Sequence, residues 1–308
     1  MKVFIDGAAG TTGLRIHERL AARSDLTVLT LPDELRKDPE ARAECMNRAD
    51  VVFLCLPDAA AKETVGLVQN PDTVIIDTST AHRTADGWVY GFPELEGQRE
   101  KIRASKRIAN PGCHASGFIA LVAPLVRAGV LSSGTPLSCF SLTGYSGGGK
   151  KMIAEYEAPD RDPLLEAPRQ YGLSQAHKHL PEMKVYGLLD SAPCFCPIVA
   201  PYYAGMEVTV PIQKEMLNYG DADEICSVYR DVYGEGMIRF VENADENGFL
   251  SAKAFEGRDD MQVAVFGDRK RILLVSRFDN LGKGASGAAI QNMNLVLGLS
   301  ENKGLVLE

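Results

Sequence analysis

The feature that most constrains the fold is a glycine-spaced turn, Gly7-Ala8-Ala9-Gly10-Thr11-Thr12-Gly13, set between a short apolar run, Val3-Phe4-Ile5, and a helical pattern from Gly13 to Arg23. A strand that passes into a helix across such a turn makes a βα unit. The glycines let backbone N–H groups approach an anion closely, and the helix dipole favours negative charge there. The spacing departs from the commoner Gly-x-Gly-x-x-Gly, and the bland reading is a tight turn. The strand-turn-helix setting favours a dinucleotide pyrophosphate at Gly7, Gly10, Thr11, Thr12 and Gly13.

Further apolar runs, Leu26 to Leu31, Val51 to Leu56 and Val74 to Asp77, alternate with helical patterns. That alternation predicts a Rossmann-type, doubly wound parallel sheet, with Leu14, Leu20 and Ala21 on one side of its first helix. Beyond residue 112 the texture changes. A long helix to about Ala128 precedes strand candidates Leu137 to Leu142, Glu207 to Ile212, Met261 to Phe266 and Arg271 to Phe278, separated by loops rich in Pro and Gly. The expectation is a second, α+β domain with a mixed or antiparallel sheet. Ala285 to Leu299 is again helical, with Ile290, Met293 and Leu297 on its apolar face. The fold class is therefore α/β with an added α+β domain: residues 1–112 bind the dinucleotide, completed by a C-terminal helix within 284–308, and residues 113–283 form the second domain.

At 308 residues and 45% hydrophobic content, the chain can bury two cores. A formal charge of −8 argues against nucleic acid as a partner. No apolar stretch approaches the roughly 20 residues of a membrane helix, and the start of the chain lacks a signal-peptide pattern. Seven thinly spread cysteines, an odd number, fit a reducing compartment, with cytoplasm as the default. Cys194-Phe195-Cys196 has no second ligand pair at zinc spacing, and a strand-like segment separates it from the nearest histidines, so no metal is expected.

The stretch Asn110-Pro111-Gly112-Cys113-His114 places a cysteine where a strand ends and a helix begins. Helix N–H groups favour thiolate over thiol, so Cys113 is a candidate nucleophile; the alternative is a small core residue. His177-Lys178-His179-Leu180-Pro181-Glu182 carries two histidines at i and i+2, which in an extended or turning segment point the same way. An imidazole titrates near neutrality and can serve a thiol as acid and base. His114 adjoins Cys113, but successive helix side chains do not face each other, which leaves His177 as the preferred partner. Ser146-Gly147-Gly148-Gly149-Lys150 can wrap an anion or be a surface loop. Arg83, past the fourth strand's carboxyl end, can clamp phosphate or carboxylate, or pair with an acid. After the second strand, Asp33, Glu34, Arg36 and Lys37 lie together, so the local pattern does not choose between NAD and NADP.

In their order these motifs, with Asp77-Thr78-Ser79-Thr80-Ala81-His82-Arg83, Tyr90-Gly91-Phe92-Pro93-Glu94-Leu95 and the segment from Asn280 to Asn294, resemble the shorter form of the N-acetyl-γ-glutamyl-phosphate reductase family, within the aspartate-semialdehyde dehydrogenase-like superfamily. The resemblance covers nearly the whole chain. It implies NADPH, held also by Ser79, Asn280, Gly282 and Asn292; a nucleophile at Cys113 and an acid/base at His177; and substrate contacts from Arg83, Ser146, Lys150, Tyr171 and His179. It further implies that residues 113–283 carry catalysis and dimerisation, in a homodimer or homotetramer. Two positions depart from the family pattern: His114 stands where tyrosine is frequent, and Lys150 where arginine is, which loses a bidentate grip.

The expected reaction is arginine-biosynthetic reduction of a small acyl phosphate through a cysteine thioester. Rival readings are the same chemistry on aspartyl or carrier-bound aminoadipyl phosphate, and a non-catalytic NADPH sensor.

Overall fold

The computed structural model describes residues 1–307. The chain forms two compact units, one of residues 1–112 with 285–305, the other of residues 113–284 with the last described residues from 306.

In the first unit, β1 (Lys2–Asp6), β2 (Thr27–Leu29), β3 (Val51–Leu54), β4 (Val74–Asp77), β5 (Val89–Tyr90) and β6 (Arg107–Ala109) form a parallel sheet in the order β2-β1-β3-β4-β6-β5. The order switches direction at β1, whose neighbours are β2 and β3. Ligands of open α/β sheets bind at such a point, beyond the carboxyl ends of the strands. Helices α1 (Thr11–Ala21), α2 (Pro39–Arg48), α3 (Asp58–Val65) and α4 (Gln98–Ala104) cross between strands.

Successive strand side chains alternate between faces, so each strand feeds two cores. Val3, Ile5, Val51, Phe53, Val74 and Ile76 pack with Ile16 and Leu20 of α1, Ile102 of α4, and Ala289, Ile290 and Met293 from the C-terminal segment. Phe4, Val52, Leu54 and Ile75 pack oppositely with Cys45 and Met46 of α2. The expected face of α1 needs correction: Ile16 and Leu20 are buried, whereas Leu14 is 48% exposed and Ala21 is also exposed. At about 100° per residue, Leu14 and Ala21 share one side, opposite the Ile16–Leu20 stripe. The second strand is shorter than expected because β2 is an edge strand, paired only with β1.

In the second unit, β7 (Ser138–Gly144), β8 (Arg169–Gln170), β9 (Cys194–Ala200), β10 (Met206–Gln213), β11 (Ile238–Phe240), β12 (Met261–Gly267) and β13 (Arg271–Phe278) form a mixed sheet, ordered β11-β12-β13-β10-β7-β9-β8. The pairs β7/β9 and β11/β12 are parallel, the others antiparallel. Its helices are α5 (Cys113–Arg127), α6 (Gly149–Glu157), α7 (Leu180–Tyr186) and α8 (Ala222–Val232). The segment between His179 and Cys194, expected to be strand-like, contains α7: His179 is its N-cap and Pro181 lies in its first turn, where a missing N–H costs nothing.

Helix α5 lies hard against the sheet. At Gly117 an added Cβ would come 2.6 Å from Val208, 2.7 Å from Ser276 Oγ and 2.8 Å from Phe278. Pro124 sits inside this helix and cannot donate to the carbonyl of Ala120; the Tyr233 hydroxyl donates to that carbonyl instead, at 2.7 Å. A π-helical turn (Gly282–Ser286) then leads into α9 (Gly287–Val296). That helix ends before the expected Leu299. It is also buried on all sides from Gly287 to Leu295, so its sequence is apolar and small rather than amphipathic.

Candidate active site

Cys113 is the first residue of α5 and is partly exposed. There the helix N–H groups lack intrahelical acceptors, and their partial positive charge favours a thiolate. Two glycines fix the position of the sulfur. Gly117, one turn on along the same face, sets how closely α5 lies on β10 and β13. Gly284 presents its bare Cα to the thiol: a Cβ there would lie 2.9 Å from Cys113 Cβ and 3.1 Å from the carbonyl oxygen of Asp279.

Around this helix start stand three imidazoles. The rings of His177 and His179 meet edge-on at 4.7 Å between centroids, and His114 lies 5.7 Å from His177 and 5.5 Å from His179. The His179 N–H donates to His177 Nδ1 at 3.2 Å, which makes Nδ1 an acceptor and leaves Nε2 to carry the ring proton. Glu182, buried, stands 4.0 Å from His179 Nε2. His114 turns away from its neighbour Cys113: Nδ1 contacts Ser141 Oγ at 2.6 Å and Nε2 the Tyr171 hydroxyl at 2.7 Å. Burial, then the charge of His177, lowers the His114 pKa to about 3, so this ring is neutral. Burial and the charge of Cys113 push the Tyr171 phenol well above its ordinary value.

Phe195 of β9 closes the cluster, with its ring 5.3 Å from His114 and 5.1 Å from His177. Gln175 fixes this strand to the histidine loop: its Nε2 donates to the Phe195 carbonyl at 2.7 Å, and the Phe195 N–H donates to its Oε1 at 2.8 Å. Four residues singled out from sequence thus converge, Cys113, Tyr171, His177 and His179. Ser141, Phe195 and Gln175 went unnoticed, because an isolated serine, phenylalanine or glutamine carries no local signal.

The glycine loop is built differently from an open anion wrap. Ser146 is buried, and its Oγ accepts from Asn280 Nδ2 at 3.0 Å, while Asn280 Oδ1 accepts from the Gly205 N–H at 2.9 Å. Gly149, at φ +72°, opens α6, and Lys150 is exposed on its first turn. Gly282 lies against the chain at Arg258, where a Cβ would fall on the carbonyl oxygen at 1.9 Å.

In the first unit the Gly7 turn is equally constrained. Gly7 has φ +85° with its Cα against the Cys55 carbonyl, and at Gly13 a Cβ would come 2.5 Å from the Gly7 oxygen. No side chain caps α1. Thr11 Oγ1 is buried without a hydrogen-bond partner, so the turn has both N–H groups and a hydroxyl to offer a pyrophosphate. Past the second strand, Arg36 is paired with Asp33 at 2.6 Å on the surface.

At the end of β4, Asp77 accepts from the Ser79 N–H and Oγ–H, at 2.9 and 2.7 Å, and contacts His82 Nδ1 at 2.7 Å. Arg83 is buried and donates to the carbonyls of Asn110 at 2.9 Å and Thr78 at 3.3 Å. Asn292 Nδ2 donates to the Gly91 carbonyl at 2.9 Å, which fixes the amide orientation and leaves its buried Oδ1 without a partner. An unmatched acceptor of this kind suits a carboxamide N–H, so Thr11 and Asn292 both fit a nicotinamide dinucleotide. Among the described residues, no three His, Cys, Asp or Glu side chains come together in a metal-holding group. No helix among them is long and apolar enough to cross a membrane.

A family model described as "Semialdehyde dehydrogenase, NAD binding domain" matches residues 32–105, and one described as "Semialdehyde dehydrogenase, dimerisation domain" matches residues 113–280. The chain is 43% identical to N-acetyl-gamma-glutamyl-phosphate reductase 2 of Pseudomonas putida, over 98% of each chain. It is 45% identical to N-acetyl-gamma-glutamyl-phosphate reductase of Rhizobium etli, over 96% of this chain and 98% of that one. The chain belongs to the N-acetyl-γ-glutamyl-phosphate reductase family. Among solved structures, aspartate semialdehyde dehydrogenase II from Vibrio cholerae superposes with a TM-score of 0.73 at 17% identity, covering 96% of this chain and 98% of that one, which shows a shared fold.

Proposed function

We propose that the protein reduces N-acetyl-γ-glutamyl phosphate to N-acetylglutamate semialdehyde, with release of phosphate, as a step of arginine biosynthesis. The observation that carries this reading is Cys113 at the start of α5, near enough to Tyr171 for its charge to act on the phenol, with the Tyr171 ring 5.9 Å from that of His177, in a chain of the reductase family. Residues 1–112 with the C-terminal helix serve as the dinucleotide-binding domain, and residues 113–283 as the catalytic and dimerisation domain of a cytoplasmic homodimer or homotetramer.

In this mechanism the Cys113 thiolate attacks the acyl carbon, the bond to the phosphate oxygen breaks, and phosphate leaves behind a thioester. A thioester is needed because its carbonyl accepts hydride and its thiolate departs easily; a serine ester does neither well. NADPH, when bound by Gly7, Gly10, Thr11, Thr12, Gly13, Ser79, Asn280, Gly282 and Asn292, supplies the hydride. His177 Nε2–H stabilises the oxyanion on the carbonyl carbon and governs its proton as the C–S bond breaks and the aldehyde forms. His179, held by Glu182, and Ser146 contact the substrate with Tyr171. Lys150 adds charge, and Arg83 holds the Asn110 carbonyl ahead of the nucleophile as well as offering charge to phosphate.

The test is phosphate-dependent reduction of NADP⁺ by purified protein, with N-acetylglutamate semialdehyde and aspartate semialdehyde compared at equal concentration. The expected result is signal with the acetylated aldehyde, lost without phosphate and lost in Cys113→Ser. Preference for aspartate semialdehyde would refute the substrate, and activity in Cys113→Ser would refute the nucleophile.

A further inference from the structure

Of the chain Ser141–His114–Tyr171 the mechanism above uses only Tyr171, as a substrate contact, and leaves the buried Ser141 and His114 without a role. Its hydrogen-bond directions can be deduced. Ser141 Oγ is fully buried, and its one hydrogen-bond partner among the described residues is His114 Nδ1. A buried hydroxyl whose proton has nowhere to go costs free energy, so the Ser141 O–H donates to Nδ1. Nδ1 is then an acceptor, and the neutral ring must carry its proton on Nε2. Nε2–H therefore donates to the Tyr171 oxygen. The Tyr171 hydroxyl has no other hydrogen bond among the described residues, so its own O–H is left to serve a group in the site.

Tyr171 does not hydrogen-bond Cys113, but it lies within reach of that residue's charge. Its ring also lies 5.9 Å from that of His177, the donor assigned to the acyl oxygen. We infer that the Ser141–His114–Tyr171 relay fixes Tyr171 as a hydrogen-bond donor to the acyl oxygen of the group attached to Cys113, a second oxyanion donor beside His177. Tyr171 is then a catalytic residue, and His114 and Ser141 are positioning residues. The inference rests on the thioester reading and deepens it. The opposite tautomer, with Nδ1–H donating to Ser141, would turn the Tyr171 proton inward and leave the site only its lone pairs.

The tautomer is read directly. In protein labelled with ¹⁵N at its five histidines, with His114→Gln as the assignment control, long-range ¹H–¹⁵N spectra of the unliganded enzyme should show His114 neutral and protonated at Nε2 between pH 5 and 9. His177, His179 and Tyr171 are the titratable groups facing it. Protonation at Nδ1 would overturn the inference, and this measurement needs no substrate, so it stands even if the assigned reaction fails.

The kinetic arm compares variants with the natural protein on its acyl phosphate. Tyr171→Phe should lower kcat about 100-fold, with KM changed far less, as for loss of one oxyanion donor. His114→Leu should cost nearly as much, but should add almost nothing in the Tyr171→Phe background, because it acts through the phenol. His114→Gln, whose amide can accept from Ser141 and donate to Tyr171, should restore most of the rate lost in His114→Leu. Additive effects, or an unchanged kcat in Tyr171→Phe, would refute the role.

Discussion

Replacing Gly117 by alanine tests whether the packing of α5 sets the place of Cys113, the proposed nucleophile. The new Cβ would lie 2.6–2.8 Å from Val208, Ser276 and Phe278, so ordinary contact near 3.4 Å requires a displacement of up to about 0.8 Å. All three neighbours are fully buried and sit on the sheet, so the helix must move with them or away from them. Overpacking costs about 1–3 kcal/mol, and the gain in helix propensity from glycine to alanine returns about 1 kcal/mol. The net loss of up to about 2 kcal/mol corresponds to an apparent Tm lower by up to about 8 °C. Because Cys113 lies one turn away on the same face, a shift approaching 1 Å should also lower kcat/KM, by about 10- to 100-fold. Thermal unfolding and steady-state assays on the same preparation measure both effects. Gly66→Ala is the control: there φ is −66° and a Cβ meets nothing nearer than 3.4 Å, so stability and rate should hold. A Gly117→Ala protein with natural stability and rate would refute the reading that this glycine seats the helix that carries Cys113.

Two further outcomes follow from the histidine cluster. His177→Ala should slow turnover about 100-fold or more, through loss of the donor at Nε2, while nucleotide binding measured by fluorescence stays near its natural value; an unchanged kcat would remove His177 from the chemistry. His114, whose pKa burial lowers to about 3 against an ordinary 6.5, binds its proton in the unfolded chain before the folded one. Below about pH 6.5 it therefore draws the equilibrium toward unfolding, by about 1.4 kcal/mol per pH unit until the folded value is passed. Denaturant melts of His114→Gln should show a shallower loss of stability from pH 6.5 to 4 than the natural protein, and equal slopes would refute the buried, neutral ring.

Much of this protein was decided by local sequence. The apolar runs Val51–Leu54 and Val74–Ile76 read as buried strands, because three or four consecutive large apolar residues fit a sheet covered on both faces. The Gly7 turn and the Asn110 to Cys113 stretch owe their legibility to backbone chemistry: glycine where chain meets chain, and cysteine where a helix begins. What tertiary structure alone decided was pairing across distance. Ser141, His114, Tyr171 and Phe195 come from β7, α5, the loop after β8 and β9, and no periodicity within any of those segments reports that their side chains meet. The buried face of α1 was settled likewise by the sheet beneath it, which chose Ile16 and Leu20 over Leu14. At Gly117 the reason is plainest: a glycine inside a helix reads locally as a weakness, and only the nearness of β10 and β13 makes it the residue that brings Cys113 to its place.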